Sequence, residues 1–237
     1  MNLHPGKLGW PAFYALQART CRNPALRAYY QAGCPAAELA IGAAPLLALD
    51  VETTGLDAQR DAIVSLGLIP FDLQRIRCSE ARYWVVNPQR ELPERSVTIH
   101  RITHSQIHQA PPFAAIAEEL LEALRGRLVV VHYRTIERLF LHKAVRQALG
   151  ESLSLPMIDT MQLEASLQRR QHPPGWLDRL FGRRPVSVRL ADSRRRYNLP
   201  AYQAHHALSD ALACAELLQA QIAHHYSPHT PLRQLWY

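Results

Sequence analysis

Two acidic residues, one position apart, follow directly on a long apolar run, and this stretch limits the possible folds more than any other. Residues 43–49 are apolar enough for a buried central strand, and Asp50 and Glu52 stand at its carboxyl end. Because alternate side chains of a strand share one face, the two carboxylates project together. Two carboxylates this close repel each other unless a cation lies between them. The pair therefore indicates a hard divalent metal. Taken alone, the stretch is more often a pair of ordinary strand-end acids, so partners elsewhere in the chain must decide.

The sequence after the carboxylates predicts a turn that suits a phosphate group. Thr53, Thr54 and Gly55 follow Glu52 at once. They offer backbone amides and a flexible glycine. This combination fits a phosphate ester held beside metal ions.

Length and composition predict one globular domain with a small appendage. The chain has 237 residues, of which 48% are hydrophobic and 20% are charged. No stretch approaches the roughly 18 to 20 consecutive apolar residues of a membrane-spanning helix, and the first residues lack a secretory pattern. The four cysteines show neither C-x-x-C spacing nor the density of a disulfide scaffold, which favours reduced thiols. We therefore expect a cytoplasmic protein that makes no contact with a membrane.

Positive charge is concentrated in one segment. The formal net charge is +7, and residues 169–196 hold nine arginines against Asp178 and Asp192. The planar arginine side chain binds phosphate through two hydrogen bonds and stays charged at working pH. The segment predicts an anionic polymer as partner, whose strand it would follow. The alternative is a solvated arginine-rich face without a binding role.

The hydrophobic pattern predicts an α/β domain. Predicted strands cover residues 43–52, 62–70, 76–86, 128–131 and 157–160. Predicted helices cover residues 111–125, 134–148 and 206–225, with two short helices within 8–40. Antiparallel strands followed by strand and helix alternation indicate a mixed five-stranded sheet flanked by helices. The predicted units are an N-terminal helical extension at 1–44, a main domain at 45–226 and a C-terminal tail at 227–237.

A third acidic candidate lies at the start of the helix predicted for residues 134–148. Glu137 falls about one turn into this helix, directly after a buried strand. The periodicity predicts that Ile136, Leu139 and Phe140 face the core, while Glu137 stays near the strand end.

A fourth acidic candidate lies in the last long helix. Asp210 belongs to a stretch rich in small residues, which can lie close against a sheet. We expect the helix to present Asp210 inward, with His205 just before its first full turn.

The order and spacing of these stretches resemble the DEDDh, or DnaQ-like, family of 3'-to-5' exonucleases. D-V-E-T-T-G at 50–55 is similar to the first motif of the family. A-L-S-D-A around Asp210, with His205 five residues before the aspartate, is similar to the third. I-H-R-I-T at 99–103 is similar to the H-G-I-T segment of the family, and the resemblance covers roughly residues 46–223.

The second motif departs from the family pattern. Where the family has H-N-A-x-F-D, residues 132–137 read H-Y-R-T-I-E, so the fourth carboxylate would be Glu137. The resemblance implies that this carboxylate meets its metal through water, which a side chain longer by one methylene can also do. Arg101 likewise replaces the glycine of the H-G-I-T segment.

The resemblance implies a ribonuclease H-like fold and a metal-dependent 3'-5' exonuclease that releases nucleoside monophosphates. Two divalent ions, Mg²⁺ or Mn²⁺, would be held by four carboxylates, those of Asp50, Glu52, Glu137 and Asp210. His205 would act as the general base, and the family spacing favours it over His206. The terminal nucleotide would be held by Thr53, Thr54, Leu56 and His100.

The partner implied by the resemblance is a nucleic acid with a free 3' end, single-stranded DNA or RNA. The sequence does not distinguish the two sugars, and a polymerase or other protein partner and the oligomeric state stay open. One alternative function is a nucleic-acid or protein binding module that keeps the exonuclease fold but has lost catalysis through Glu137. Another is a nuclease for very short oligonucleotides, which uses the same chemistry.

Overall fold

The computed structural model describes residues 8–90, 102–171 and 186–237 and places a five-stranded mixed sheet at the centre of the molecule. The strands are β1 (Leu46–Thr53), β2 (Ile63–Phe71), β3 (Arg82–Val85), β4 (Leu128–Val131) and β5 (Met157–Asp159). Their spatial order is β3-β2-β1-β4-β5. β1 pairs antiparallel with β2 and parallel with β4. It therefore joins the antiparallel strands to the part of the chain in which strands and helices alternate. The predicted mixed five-stranded α/β architecture is confirmed.

Helices cover both faces of this sheet. They are α1 (Gly9–Thr20), α2 (Pro24–Gln31), α3 (His104–Gln109), α4 (Phe113–Leu124), α5 (Arg134–Leu149), α6 (Thr160–Gln171), α7 (Leu190–Arg196) and α8 (Ala207–His225). One apolar cluster joins α1, α2, α4 and α5 to Leu47, Leu49 and Val51 of β1. A second cluster joins α8 to Leu46 and Ala48 on the opposite face. β1 is therefore buried on both faces, which explains its continuous apolar sequence.

No helix in the part of the chain that the structure describes is both long and apolar enough to cross a lipid bilayer. The longest of these helices, α8, has 19 residues. It carries Asp210 in its first turn and two histidines in its last turn.

Alternation along β1 decides where the acidic pair points. The even-numbered side chains Leu46 and Ala48 belong to the cluster beneath α8. Asp50 and Glu52 continue this even-numbered series, so they face the same side of the sheet as α8. A shift in strand register follows immediately, between Glu52 and Thr53.

The N-terminal helices share the core of the sheet. The side chains of Trp10, Tyr14, Leu26, Tyr29 and Tyr30 are buried in the same apolar cluster as one face of β1. These helices are therefore packed as part of the main body. The domain limits at 1–44, 45–226 and 227–237 stay predictions.

The last residues of the chain pair with β5. An isolated bridge joins Ile158 to Trp236. The N–H of Tyr237 donates to the carbonyl of Met157 at 2.9 Å, and the N–H of Met157 donates back at 3.3 Å. Nη2 of Arg138 donates to the Tyr237 carbonyl at 2.7 Å. The outer edge of β5 is thus covered by the chain itself.

The third strand is shorter than the sequence predicts. The prediction of a strand over 76–86 is wrong for its first half, because Cys78–Glu80 form a 3-10 turn and the strand covers Arg82–Val85. Ile76 makes only an isolated bridge to Phe71. The polar side chains of the turn interrupt the alternation that a longer strand requires.

The rotation of α5 about its axis also differs from the prediction. Leu139 is 38% exposed, whereas Phe140, Leu141 and Val145 are buried. These positions follow i+3, i+4 and i+8 from Glu137, so the apolar stripe includes the glutamate position. The prediction that Leu139 faces the core is therefore wrong, and Glu137 itself points inward.

Candidate active site

The register of the sheet sets the acidic pair opposite two small residues of β2. Asp50 lies opposite Gly67, and Glu52 lies opposite Ser65. Ser65 is fully buried, and Glu52 is 9% exposed. The acidic pair therefore lies where the sheet passes beneath α8, which contacts both β1 and β2.

Gly67 allows the start of α8 to touch the sheet. A Cβ atom at position 67 would overlap the backbone of Ala207 and Leu208, so a larger residue requires the helix to move. Asp210 lies in the first turn of this helix. The close contact thereby brings Asp210 beside the acidic pair of β1.

Possible metal ligands gather at this contact. A carboxylate oxygen of Glu52, a carboxylate oxygen of Asp210 and a ring nitrogen of His205 all lie within 4.8 Å of one another. His205 is exposed and stands just before α8. Its backbone N–H donates to Oδ2 of Asp210 at 2.8 Å. The first and third motifs of the sequence therefore meet in space.

Glu137 reaches the same place from α5. This helix follows β4, the parallel neighbour of β1, and Glu137 lies in its first turn. The Glu137 side chain is 3% exposed, and its Oε2 atom has no hydrogen-bond partner among the described residues. Burial, followed by the charge of Glu137, raises the pKa of Asp50 well above its usual value. The second motif thus joins the other two.

The four carboxyl groups all have a raised pKa. The pKa of Asp50, already raised by burial and by the charge of Glu137, is raised further by the charges of Asp210 and Glu52. Burial and the charge of Asp210 raise the pKa of Glu52 to about 7. Burial also raises the pKa of Glu137 and of Asp210. The four carboxyl groups offer only oxygen donors and repel one another, and among the described residues one of their buried oxygens has no partner. This combination fits hard divalent cations.

Tyr83 is a neighbour of the site that sequence reasoning missed. It belongs to β3, and its ring stacks on the ring of His206 with centroids 4.8 Å apart. No motif marks this tyrosine. Only the register of β3 against β2 places it here, and hydrophobic alternation does not specify that register.

The turn after β1 is held by its own side chains. The Thr54 hydroxyl donates to Oδ1 of Asp61 at 2.9 Å and accepts from the N–H of Ala62 at 3.1 Å. The Thr53 hydroxyl donates to the carbonyl of Gly55 at 2.6 Å. Both hydroxyls therefore stabilise the turn in this structure. The contact of either threonine with a nucleotide stays a prediction.

Leu56 stands free at the tip of this turn. Its side chain is 81% exposed, which leaves it open to a base, although that contact also stays a prediction. Nζ of Lys143 on α5 donates to the carbonyls of Gln59 and Asp61 at 3.1 and 3.0 Å, so the turn is tied to the body of the protein. His100, the remaining residue predicted to bind substrate, lies outside the described residues.

Asp159 is a buried acid whose role the motifs do not reveal. Its carboxylate accepts from the N–H groups of Tyr133 and Arg134 at the start of α5. It also accepts from the N–H groups of Met161 and Gln162 at the start of α6. One side chain thus caps two helices, and one of these helices carries the fourth carboxylate of the cluster. The sequence signal is an aspartate at the end of a short buried strand.

Comparison with known proteins decides the family. The sequence model of the RNase T exonuclease family matches residues 47–218. The chain belongs to this DnaQ-like exonuclease family. The resemblance carried by the motifs is confirmed, and with it the expectation of an enzyme of the 3'-5' exonuclease type.

The exonuclease has relatives among bacterial DNA polymerases. The epsilon subunit of DNA polymerase III from Treponema pallidum is 30% identical over 179 residues, which cover 75% of this chain and 76% of that protein. A PolC-type DNA polymerase III from Thermotoga petrophila is 26% identical over 73% of this chain. The second match spans 12% of the polymerase, so it concerns one part of a much longer protein.

Solved structures show the same fold. Exonuclease X in complex with 5'-overhanging duplex DNA is 20% identical, with a TM-score of 0.55 over 79% of this chain and 97% of that one. Escherichia coli exonuclease I in complex with single-stranded DNA is 16% identical, with a TM-score of 0.62 over 77% of this chain and 41% of that one. These likenesses confirm the predicted ribonuclease H-like fold.

The basic segment of the exonuclease is partly structural. Residues 172–185 of the segment at 169–196 lie outside the described residues. Arg194 has a side chain that is 4% exposed, and its Nη2 atom lies 2.7 Å from a carboxylate oxygen of Glu216. Arg196 forms a similar ion pair within the fold. These two arginines stabilise the fold and are not free to follow a strand.

Proposed function

We propose that this exonuclease removes nucleotides one at a time from the 3' end of single-stranded DNA and releases nucleoside monophosphates. The observation that carries the proposal is the convergence of four carboxyl groups and one histidine beside β1. They come from β1, α5 and α8 and, for the histidine, from the residues just before α8, and these parts are far apart in the sequence. Clustered groups with raised pKa values are typical of catalytic sites.

The cluster is proposed to hold two divalent ions, Mg²⁺ or Mn²⁺. The ligands are Asp50, Glu52, Glu137 and Asp210. Bound ions of this kind supply an activated water and neutralise charge at the leaving oxygen. The chain itself would hold these side chains ready for the ions, because Gly67 admits α8 to the sheet and Asp159 caps α5.

His205 is proposed to take the proton of the attacking water. A ring nitrogen of His205 lies near the carboxylates of Glu52 and Asp210, and the residue is exposed. Imidazole is the side chain used most often for proton transfer near neutral pH. Its exposure lets the proton return to solvent after each turnover.

The terminal nucleotide is proposed to lie against the turn after β1. Leu56 would pack on its base, while Thr53, Thr54 and His100 would contact its sugar and phosphate. The choice of DNA is supported by the polymerase subunits among the relatives and by the DNA complexes among the structures of this fold.

A matched panel of 5'-labelled oligonucleotides tests polarity, sugar and length together. The panel contains single- and double-stranded DNA and RNA, from dinucleotides to long strands, with Mg²⁺, with Mn²⁺ and with EDTA. We expect stepwise shortening of single-stranded DNA from its 3' end and no reaction in EDTA. Digestion confined to the shortest oligonucleotides would favour a nuclease for very short oligonucleotides. Binding without digestion would favour a binding module that has lost catalysis.

A matched pair of glutamate substitutions tests the site. Glu52→Gln is expected to lower kcat by about 100-fold, because it replaces a charged carboxylate of the cluster with a neutral amide that binds a divalent ion more weakly. Glu38→Gln serves as the control, since the Glu38 side chain is 72% exposed and pairs with Arg233. An unchanged kcat in Glu52→Gln would contradict the proposed site.

Metal binding also has a readout that does not depend on turnover. Asp50→Asn is expected to raise the melting temperature in EDTA, because it removes one of the repelling charges. The same substitution should reduce the further rise that Mn²⁺ produces in the wild type. Asp72→Asn is a control for which the melting temperature should fall. Hydrogen bonds from Gln74 and Arg77 lower the pKa of Asp72, so loss of its charged carboxylate should destabilise the protein. A lower melting temperature for Asp50→Asn in EDTA would contradict the inferred repulsion between Asp50 and the other carboxylates of the cluster.

A further inference from the structure

An aromatic stack lies beside the candidate active site, at the edge of the sheet. The rings of Tyr83 and His206 are parallel to within 18°, with centroids 4.8 Å apart. Tyr83 belongs to β3, whereas His206 is the residue immediately before α8. The stack therefore joins the sheet to the short segment that carries His205.

The sheet register explains how Tyr83 reaches this segment. Tyr83 lies opposite Gly67 on β2, and Gly67 lies opposite Asp50 on β1. Residues directly opposite each other in antiparallel strands point to the same face. Because Gly67 has no side chain, the start of α8 fills the space between the Tyr83 ring and the Asp50 carboxylate. The aromatic stack is thus built into the same contact that assembles the carboxylates.

The backbone of His205 needs to be held in place. Its φ angle is 66°, a left-handed conformation that a side chain with a Cβ adopts at a cost. Its N–H is held by Asp210 at 2.8 Å. On its other side the chain is held by the stack of His206 on Tyr83 and by the contact of α8 with the sheet. The conformation of His205 is therefore fixed from both sides.

The hydroxyl of Tyr83 interacts with the side chain of Ser65 and lies within reach of the charge of Glu52. Burial raises the pKa of Tyr83, the interaction with Ser65 lowers it by less, and the charge of Glu52 raises it slightly further. Tyr83 therefore offers two groups near the site, a ring and a hydroxyl. The ring makes the contact with His206, and the two groups can be separated by substitution.

We propose that Tyr83 is a positioning residue of the exonuclease, which acts through its stack on His206 to fix the backbone of His205 and the direction of its imidazole. The inference rests on the proposed function, in which His205 takes the proton of the attacking water. Tyr83 does not touch the reacting atoms. The ring carries this role, and the hydroxyl is dispensable for it.

Steady-state kinetics on a single-stranded DNA oligonucleotide test the role of the ring. Tyr83→Ala is expected to lower kcat about tenfold, because it lets His205 turn away, and to change KM little. Tyr83→Phe keeps the stack and should retain the wild-type kcat. A folded Tyr83→Ala protein with wild-type kcat would overturn the proposal. So would a Tyr83→Phe protein as impaired as Tyr83→Ala, since that result assigns the effect to the hydroxyl.

The other half of the stack provides the same test from an exposed position. His206→Ala should match the kcat loss of Tyr83→Ala, and His206→Phe, which keeps an aromatic ring, should restore kcat. Because His206 is exposed, this pair remains informative if Tyr83→Ala does not fold. Full activity in His206→Ala would overturn the proposal.

A double-mutant cycle separates positioning from a general structural effect. In a His205→Ala background, Tyr83→Ala is expected to cause no further loss of kcat, since the residue it positions is absent. If the kcat losses of Tyr83→Ala and His205→Ala multiply in the double variant, the two residues act independently and the proposal is overturned. An inactive wild type or a fully active His205→Ala protein would instead refute the proposed function, so the two failures are distinguishable.

Discussion

Two residues beside the carboxylate cluster have strained backbones. Tyr133, between β4 and α5, has a φ angle of 87°, and His205 has one of 66°. Left-handed conformations cost roughly 1–2 kcal/mol for residues with a Cβ. Tyr133 is held there because its N–H donates to Oδ1 of Asp159 at 3.0 Å. The sharp turn that aims Glu137 at the strand end is therefore maintained by the capping aspartate.

This strain predicts a stabilising substitution. Tyr133→Asn is expected to raise the free energy of unfolding by about 1 kcal/mol, because asparagine tolerates the left-handed region. Urea unfolding followed by circular dichroism measures the change. Thr135→Asn, at an exposed position in the first turn of α5, is the control and should shift stability by less than about 0.5 kcal/mol. A less stable Tyr133→Asn protein would show that Tyr133 is not strained.

His132 makes stability depend on pH. Its Nδ1 and Nε2 atoms lie 2.8 and 3.0 Å from the Thr160 hydroxyl and the Val188 carbonyl, and burial lowers its pKa to about 4. In the unfolded chain a histidine titrates near 6.5. Unfolding therefore takes up a proton between these values, and the contribution of His132 to stability is complete above pH 6.5 and is lost as pH falls toward 4.

His132→Gln tests this dependence. The loss expected from the histidine is roughly 3 kcal/mol between pH 7 and pH 4. Urea unfolding at a series of pH values should show a shallower fall of stability with acid in the variant than in the wild type. The carboxylate cluster also makes stability depend on pH, but both proteins contain it. Its contribution therefore cancels when the variant is compared with the wild type. Parallel curves for the two proteins would exclude the histidine as the source.

At the scale of elements, the contact of α8 with β2 assembles the site. Gly67 admits the helix, and the helix brings Asp210 to the acidic pair of β1. The contact depends on the absence of a single side chain. A change of one methyl group at this position is therefore expected to act on stability and on activity together.

Gly67→Ala is expected to destabilise the protein by about 1–3 kcal/mol and to lower kcat, because the new Cβ pushes α8 and Asp210 away. Thermal unfolding and kinetics on single-stranded DNA measure the two effects. Gly33→Ala is the matched control, since Gly33 has a φ angle of 75° with open space around it. That variant should lose stability through strain yet keep its kcat. If Gly67→Ala keeps its kcat as well, the helix contact does not position Asp210.

Elements with a clear apolar run or apolar period can be predicted from the sequence, and elements without one cannot. β1 and β4 are continuous apolar runs, and α5 and α8 carry enough apolar residues to show a helical period. The six-residue α3 has a single buried side chain, Ile107, and only its Thr103–Gln106 capping box marks it. Short α7 ends in three arginines and shows no apolar face in the sequence.

The same limit applies to the site. Motif order suffices to bring the four carboxylates and His205 together. The roles of Gly67 and Tyr83 depend on which residue of one strand lies opposite which residue of the next. Hydrophobic alternation specifies the face of a side chain but not this pairing. The cap formed by Asp159 likewise requires two helices to start at the same point in space.

At the scale of the whole molecule, the sheet lies between two apolar clusters, and the N-terminal helices belong to one of them. Leu26 of α2 is fully buried there, together with the aromatic side chains of Trp10 and Tyr29. The N-terminal helices therefore contribute to the stability of the face of β1 opposite α8. They are expected to unfold together with the sheet.

Leu26→Ala is expected to lower the free energy of unfolding by about 2–5 kcal/mol in a single transition. Tryptophan fluorescence, with Trp10 on α1 and Trp84 on β3, and circular dichroism should report the same midpoint. Leu16→Ala is the control, because Leu16 is 45% exposed and its loss should cost less than about 0.5 kcal/mol. Two separate transitions would instead identify the N-terminal helices as an independent unit.

Trp236 and Tyr237 also cover one edge of the sheet, which would otherwise be open to pairing with a second molecule. An uncovered strand edge is a template on which another chain adds a strand, and this is a route to aggregation. The outer edge of β5 is occupied by these two residues, and β3, at the opposite end of the sheet, has only four residues. A fusion that draws the last two residues away from β5 would expose that edge to solvent. That edge would then be a place where a second molecule could add a strand.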